Sequence, residues 1–147
     1  MQPLKFRKGP NKMITYYFNQ DEYKGTKFVS IVKSIHPIDP TDPNSQKKSY
    51  ALTITKNQWE AFCRWIETEV IKGDKPHANP LTFPAARGSI EFTFNRDEEY
   101  EGKRFSILHK KDTRFGKPKY QNIAVNKDQW PDFRKWLKEL IKQKTNF

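Results

Sequence analysis

The 147-residue chain contains one cysteine, Cys63. It can close no internal disulfide, so a reducing intracellular compartment, cytosol or nucleus, is expected. No stretch approaches the ~20 apolar residues of a membrane span, and no membrane partner is expected. The opening residues MQPLKFRKGP lack the apolar core of a secretory signal. The three histidines, His36, His77 and His109, are scattered, and no zinc-type spacing exists. No glycine-rich loop of the phosphate-cradling kind is present. The acidic runs Asp21-Glu22 and Asp97-Glu98-Glu99 stand near glycine in what read as strand-joining turns, where Asp is favoured for local reasons. No further carboxylate or histidine clusters with them in sequence. The expectation is a chain without enzymatic chemistry, metal or cofactor.

What is abundant is positive charge and aromatic surface. The formal net charge is +11, the pI is about 9.7, and aromatics make up 14% of residues. That aromatic content supplies a core and argues against disorder despite 31% charged residues. A basic protein attracts polyanions, because each phosphate neutralised by Lys or Arg releases a condensed counterion. The charge is evenly spread, with 13 basic against 8 acidic residues through Lys75 and 15 against 9 from Pro76 onward. Neither half is a charged tail on a neutral body.

The chain repeats itself. Pro3-Leu4-Lys5-Phe6 returns as Pro80-Leu81-Thr82-Phe83, and Phe18-Asn19 returns as Phe94-Asn95. Thr55-Lys-Asn-Gln-Trp59-Glu-Ala-Phe62 returns as Asn126-Lys-Asp-Gln-Trp130-Pro-Asp-Phe133. The copies occupy 1–75 and 76–147, joined by the Gly- and Pro-bearing segment Gly73–Pro80. The loop before the last strand is long and Pro-rich in the first copy and five residues shorter in the second.

Each copy reads as four strands followed by a helix. Alternation places Ile14, Tyr16 and Phe18 on one side and Thr15, Tyr17 and Asn19 on the other. Ile90, Phe92 and Phe94 against Glu91, Thr93 and Asn95 repeat this pattern. Ungapped alignment of the third strands puts Val29 with Phe105 and Ile31 with Ile107 inside, and Phe28 with Arg104 and Ser30 with Ser106 outside. Gly25 and Gly102 do not align in that register. Leu52, Ile54, Ile123 and Val125 of the last strands face inward. Thr55-x-x-Gln58 is a capping box opening the first helix. The second helix has two candidate caps, Asn126 and Asp128; only the latter puts Pro131 in the first turn, where its missing N–H costs nothing. Trp59, Phe62, Cys63, Ile66 and Val70 form one apolar stripe, and Trp130, Phe133, Leu137 and Ile141 the matching one. Trp59, Trp130 and Cys63 read as core. Trp65 and Trp136, at the flank of the stripe, read as seals between the copies. The expected fold is α+β: two tandem ββββα repeats, each an antiparallel four-stranded sheet covered by one helix, packed as an intramolecular pseudo-dimer.

With one sheet face taken by the helix, the other is free. In the first copy it carries Lys5, Arg7, Thr15, Tyr17, Asn19, Phe28 and Ser30, with Lys27 beside them. In the second it carries Thr93, Asn95, Arg104, Ser106, Lys110, Tyr120 and Asn122. Aromatics that stack on bases, set among cations that follow phosphates, suit single strands. Tyr17, Phe28 and Tyr120 are the stacking candidates. Loop lysines, Lys47, Lys48, Lys110, Lys111, Lys117 and Lys119, are positioned to steer phosphates or simply to be solvated.

The stretches Leu52–Phe62 and Ile123–Phe133, within repeated four-strand-and-helix units, resemble the positive-cofactor-four type of transcriptional coactivator. They also resemble the purine-rich-element-binding (PUR) proteins, which place two such repeats in one chain. The long Pro-rich loop of the first copy departs from that pattern. The resemblance implies binding of single-stranded DNA, with RNA a second ligand, across the sheet. It also implies a role in transcription, replication or recombination, with proteins of those processes as partners. The alternative reading is a protein-interaction module or transcription cofactor that binds polymerase or another acidic partner through the same face. An open sheet edge would also allow a homodimer.

Overall fold

The computed structural model describes residues 1–42 and 46–143; Pro43–Ser45 of the Pro-rich loop and the last four residues of the second repeat lie outside the described residues. Strands β1 (Leu4–Lys8), β2 (Lys12–Tyr23), β3 (Thr26–Pro37) and β4 (Lys48–Thr55) form one antiparallel sheet in the order β1-β2-β3-β4. Helix α1 (Lys56–Trp65) follows and continues as a π-helical segment, Ile66–Ile71. Strands β5 (Leu81–Ala85), β6 (Gly88–Tyr100), β7 (Lys103–Asp112) and β8 (Lys119–Asn126) form the second sheet in the same order, and α2 (Trp130–Lys142) closes the repeat. The fold is the α+β double ββββα arrangement that the repeat implies.

The second and third strands of each copy are longer than their sequence pattern suggests, and the acidic runs lie within strands instead of in turns. Asp21 and Glu22 belong to β2, and Asp97–Glu99 belong to β6. The turns are Lys24-Gly25 and Glu101-Gly102. All four residues have positive φ (49°, 79°, 52° and 76°), the two-residue hairpin geometry that matches strand twist.

Asp97 is also left-handed, at φ 56°, and the β6–β7 register shifts between Asn95 and Glu98. This extra residue is a β-bulge. It moves the repeat offset by one between Asn19/Asn95 and Gly25/Gly102. A one-residue slip flips every following side chain to the other face. Leu108 and Lys110, opposite Phe94 and Phe92, therefore face the core, and Ile107, opposite Asn95, faces outward with Phe105. The inward placement of Phe105 and Ile107, and the outward placement of Arg104, Ser106 and Lys110, are corrected by the bulge.

Both helix starts obey local rules. The Thr55 N–H donates to Gln58 Oε1 at 3.3 Å, half of the capping box. The second helix begins after both candidate caps, with Gln129 at its cap and Pro131 in the first turn. A turn in which the Gln129 N–H donates to Asn126 O precedes it.

Each helix packs on its own sheet at its start and on the opposite repeat further along. Trp59 meets Phe18 at 5.6 Å and Trp130 meets Phe94 at 5.2 Å, contacts within a repeat. One turn on, Phe62 meets Phe92 at 5.2 Å and Phe133 meets Tyr16 at 4.8 Å, contacts between repeats. The Trp65 indole donates to Asn79 O at 2.7 Å, and the Trp136 indole donates to Gln2 O at 3.0 Å. Both flank tryptophans seal the joint. Cys63 is half-buried, and burial pushes its thiol up to about 12.

The π segment leaves carbonyls that basic side chains from the second repeat satisfy. Arg96 donates to Glu69 O at 3.1 Å and Val70 O at 3.3 Å, and Arg134 donates to Ile71 O at 2.9 Å. Gly73 follows after Lys72, and a Cβ there would sit 2.3 Å from Glu69 O. Gly73→Ala is expected to cost about 2 kcal/mol or more, measured as a lowered urea midpoint, because backbone is the clashing partner and has nowhere to move.

Candidate nucleic-acid interface

The outer face of the first sheet is assembled by register. Lys5, Thr15, Ser34 and Ser49 form one row across β1–β4, and Arg7, Met13 and His36 the row beside it. Tyr17, Val32 and Ala51 form the next row on the other side, followed by Asn19, Ser30 and Thr53, and then Asp21, Phe28 and Thr55. The floor is made of short side chains, many of them hydroxyls. Ser30 and Thr53 pair with each other at 3.1 Å.

At one end this face is concave. A depression of about 690 Å³ is lined by Lys5, Thr15, Tyr17, Ser34, His36 and Lys47, with Pro3, Pro37 and Pro40 as walls. Pro37, Pro40 and Lys47, from the described parts of the Pro-rich loop, form one side. Its start is held by Asp39, whose carboxylate accepts from the Thr41 hydroxyl at 2.7 Å and the Thr41 amide at 2.9 Å; these bonds lower the Asp39 pKa. His36 Nδ1 lies 3.0 Å from Pro37 O, which can only accept, so Nδ1 carries the proton. In the neutral ring Nε2 then accepts from the Thr15 hydroxyl at 2.9 Å. Ser34 Oγ is buried and has no hydrogen-bond partner among the described residues. The depression thus combines an aromatic ring, two lysines, a fixed imidazole and hydroxyls, a set able to stack a base, contact phosphate and offer hydrogen bonds.

The outer face of the second sheet is differently equipped. Tyr120 is 55% exposed, its ring lies 5.4 Å from His109, and His109 Nδ1 bonds Asn122 Oδ1. Asn95 is occupied by the linker, with His77 Nδ1 2.9 Å from its Oδ1. Glu91 and Glu98 share this face with Lys111. It is therefore less basic than the first face.

Of the sequence-predicted residues, Lys5, Arg7, Tyr17, Asn19 and Phe28 share the outer face of the first sheet, and Asn95, Tyr120 and Asn122 share that of the second. Three lie elsewhere. Lys27 sits opposite Glu22 near the hairpin tip, on the side of Val29 and Ile31. Arg104 follows the bulge and pairs with Asp97 at 3.0 Å and Glu99 at 3.8 Å. Lys110 is 9% exposed and lies between the repeats. Ser34 and His36 were not singled out from sequence. They continue the outward parity of Phe28 and Ser30, and the signal was there in a strand running on to Pro37.

Lys110 and its repeat counterpart Lys33 form a pseudo-symmetric device. Lys33 Nζ donates to Ala124 O at 2.7 Å and lies 5.8 Å from the Tyr16 ring; Lys110 Nζ donates to Thr53 O at 2.7 Å and lies 5.7 Å from the Phe92 ring. The Thr53 N–H donates to Gln121 Oε1 at 2.9 Å. Facing edge strands β4 and β8 are thus satisfied by side chains of the opposite repeat. Burial lowers both lysines, Lys33 to about 8 with Lys8 adding repulsion. The unfolded chain keeps Lys33 protonated up to its ordinary 10.5, so folding becomes more favourable as pH rises from 8 towards 10.5. Relative to Lys33→Met, the wild type is expected to gain on the order of 1–2 kcal/mol over that window, read from urea melts at stepped pH and discounted for partial solvent screening.

No helix among the described residues is long and apolar enough to cross a membrane. Among the described residues, no group of three or more His, Cys, Asp or Glu comes together as a metal-ligand set.

No protein-family model matches the chain. No curated protein matches it. Among solved structures, the crystal structure of WHY3 from Arabidopsis thaliana is similar over 96% of this chain and 86% of that one, at 9% sequence identity and a TM-score of 0.37.

Proposed function

We propose that this protein binds single-stranded nucleic acid, DNA foremost and RNA as a second ligand, on the outer face of its first sheet. Its role is non-catalytic, in transcription, replication or recombination. The observation that carries this reading is the depression in which Tyr17 and His36 stand beside Lys5 and Lys47 over a hydroxyl-lined floor. An aromatic face with cations at backbone distance takes any base, because every base has a π-face. A helix-based duplex reader fits less well, since both helices spend their apolar stripes on the core. The resemblance of Leu52–Phe62 and Ile123–Phe133 to coactivator and PUR-type segments points the same way.

The test is a titration with a ~20-nucleotide single strand, its duplex and the RNA equivalent at low and near-physiological salt. Single-strand binding that survives salt, with the duplex much weaker, is expected. Equal, salt-erased binding to all three would instead favour the protein-interaction module.

A further inference from the structure

A second basic feature lies on the opposite side of the first sheet, where the two repeats meet. A cleft of about 730 Å³ runs between the base of β1–β3 and the β6–β7 hairpin with the turn after β8. Five cationic side chains line it, Lys8, Lys33, Lys103, Arg104 and Lys127, against one carboxylate, Asp128. Arg104 is shared with Asp97 and Glu99. Lys8, Lys103 and Lys127 are exposed and make no ion pair among the described residues.

The duplication supplies an internal control. At the equivalent positions of the other repeat, Lys8 becomes Ala85, Lys103 becomes Thr26, and Ile35 beside Lys33 becomes Asp112. Burial lowers the Lys110 pKa, Asp112 opposes that shift and Arg114 adds to it, and Asp112 binds Arg114 at 2.9 Å. That copy sets a carboxylate, shared with Arg114, near its buried lysine. The first copy places buried Ile35 there and adds Lys8, whose charge repels Lys33. An uncompensated cation held in a cleft of like charge is costly unless an anion from outside completes it.

We propose that this inter-repeat cleft is a phosphate-binding site that takes the backbone of the strand crossing the outer face. Lysines are compact point charges suited to phosphate, and three free ones can follow a chain of phosphates. The path is continuous: Arg7 of the outer face and Lys8 of the cleft are successive residues of β1, on opposite faces of the sheet. The choice of a strand, as opposed to a free phosphate compound, rests on the function proposed above.

The test compares the full chain with Lys8→Gln/Lys103→Gln/Lys127→Gln and with a control of equal charge loss elsewhere, Lys56→Gln/Lys135→Gln/Lys138→Gln. All six lysines are exposed, so both variants are expected to fold. The probes are a ~20-nucleotide single strand and inorganic pyrophosphate. The cleft variant is expected to lose about tenfold in strand affinity, and its log K against log salt slope is expected to fall by about 2, at ~0.7 per phosphate contact. The control is expected to stay within about twofold. If the wild type binds pyrophosphate but no strand, and only the cleft variant loses it, the site stands with free phosphate compounds as its ligand and the strand reading fails. Equal loss in both variants, loss in neither, or a wild type that binds neither probe overturns the proposal.

Discussion

Phe133→Ala is expected to cost about 3–5 kcal/mol, a large part of the 5–15 kcal/mol that holds an ordinary domain together. Phe133 is fully buried and touches Trp130 at 5.9 Å and Trp136 at 5.6 Å on its own helix. It also meets Tyr16 of the opposite repeat at 4.8 Å. Tyr16 is itself fully buried, and burial raises its hydroxyl pKa above the ordinary value. The cavity left by alanine would therefore open at the joint between the repeats. The loss should appear in both at once, as one urea transition with tryptophan fluorescence and far-ultraviolet circular dichroism coinciding. A separate, unshifted transition for the first repeat would show that the two units fold independently and that the swapped contacts of the helices do not couple them.

Tyr17→Ala is expected to weaken single-strand binding by about 1–3 kcal/mol, or roughly five- to 150-fold, without lowering the unfolding midpoint by a comparable amount. Tyr17 is half-buried at the edge of the depression, between the row of Lys5 and the row of Asn19. Its loss removes a stacking surface and leaves the cations in place, so the salt slope should stay near that of the wild type while the intercept falls. Lys5→Ala should do the reverse, lowering the slope by about 0.7. Tyr120→Ala is the informative comparison. That ring lies on the second sheet against His109, next to a more acidic face, and its removal is expected to matter less. Equal losses for Tyr17 and Tyr120 would make the binding surface span both sheets.

The repeated Gln-Trp-x-x-Phe segment was legible because it obeys helical spacing and a capping rule together. The core followed from it: Trp59, Phe62, Trp65 and Val70 are all buried, as are Phe133, Trp136 and Leu137. Strand alternation placed Lys5, Arg7, Tyr17, Asn19 and Phe28 on one face. The same alternation failed in β7 for one physical reason. Asp97 adds a residue that pairs with nothing, and parity inverts beyond it, carrying Arg104, Ser106 and Lys110 to the other face. Gly102, which does not align with Gly25 in the ungapped register, was the trace of that bulge in the sequence. Lys33 shares the inward parity of Val29 and Ile31, and nothing else in the sequence marks it as buried. The opposite repeat's carbonyl, Ala124 O, and the Tyr16 ring account for its inward position. The acidic runs misled in another way, since Asp and Glu near glycine signal a turn, whereas the turns lie two or three residues later at Lys24-Gly25 and Glu101-Gly102.

The most direct measurement is an amide chemical-shift map of the full chain with and without a ~20-nucleotide single strand. The largest shifts are expected on Lys5, Arg7, Thr15, Tyr17, Ser34 and His36, with the outer face of the second sheet and the exposed sides of both helices little changed. Shifts concentrated on the helices, or spread evenly over every surface lysine, would contradict a strand-binding first sheet.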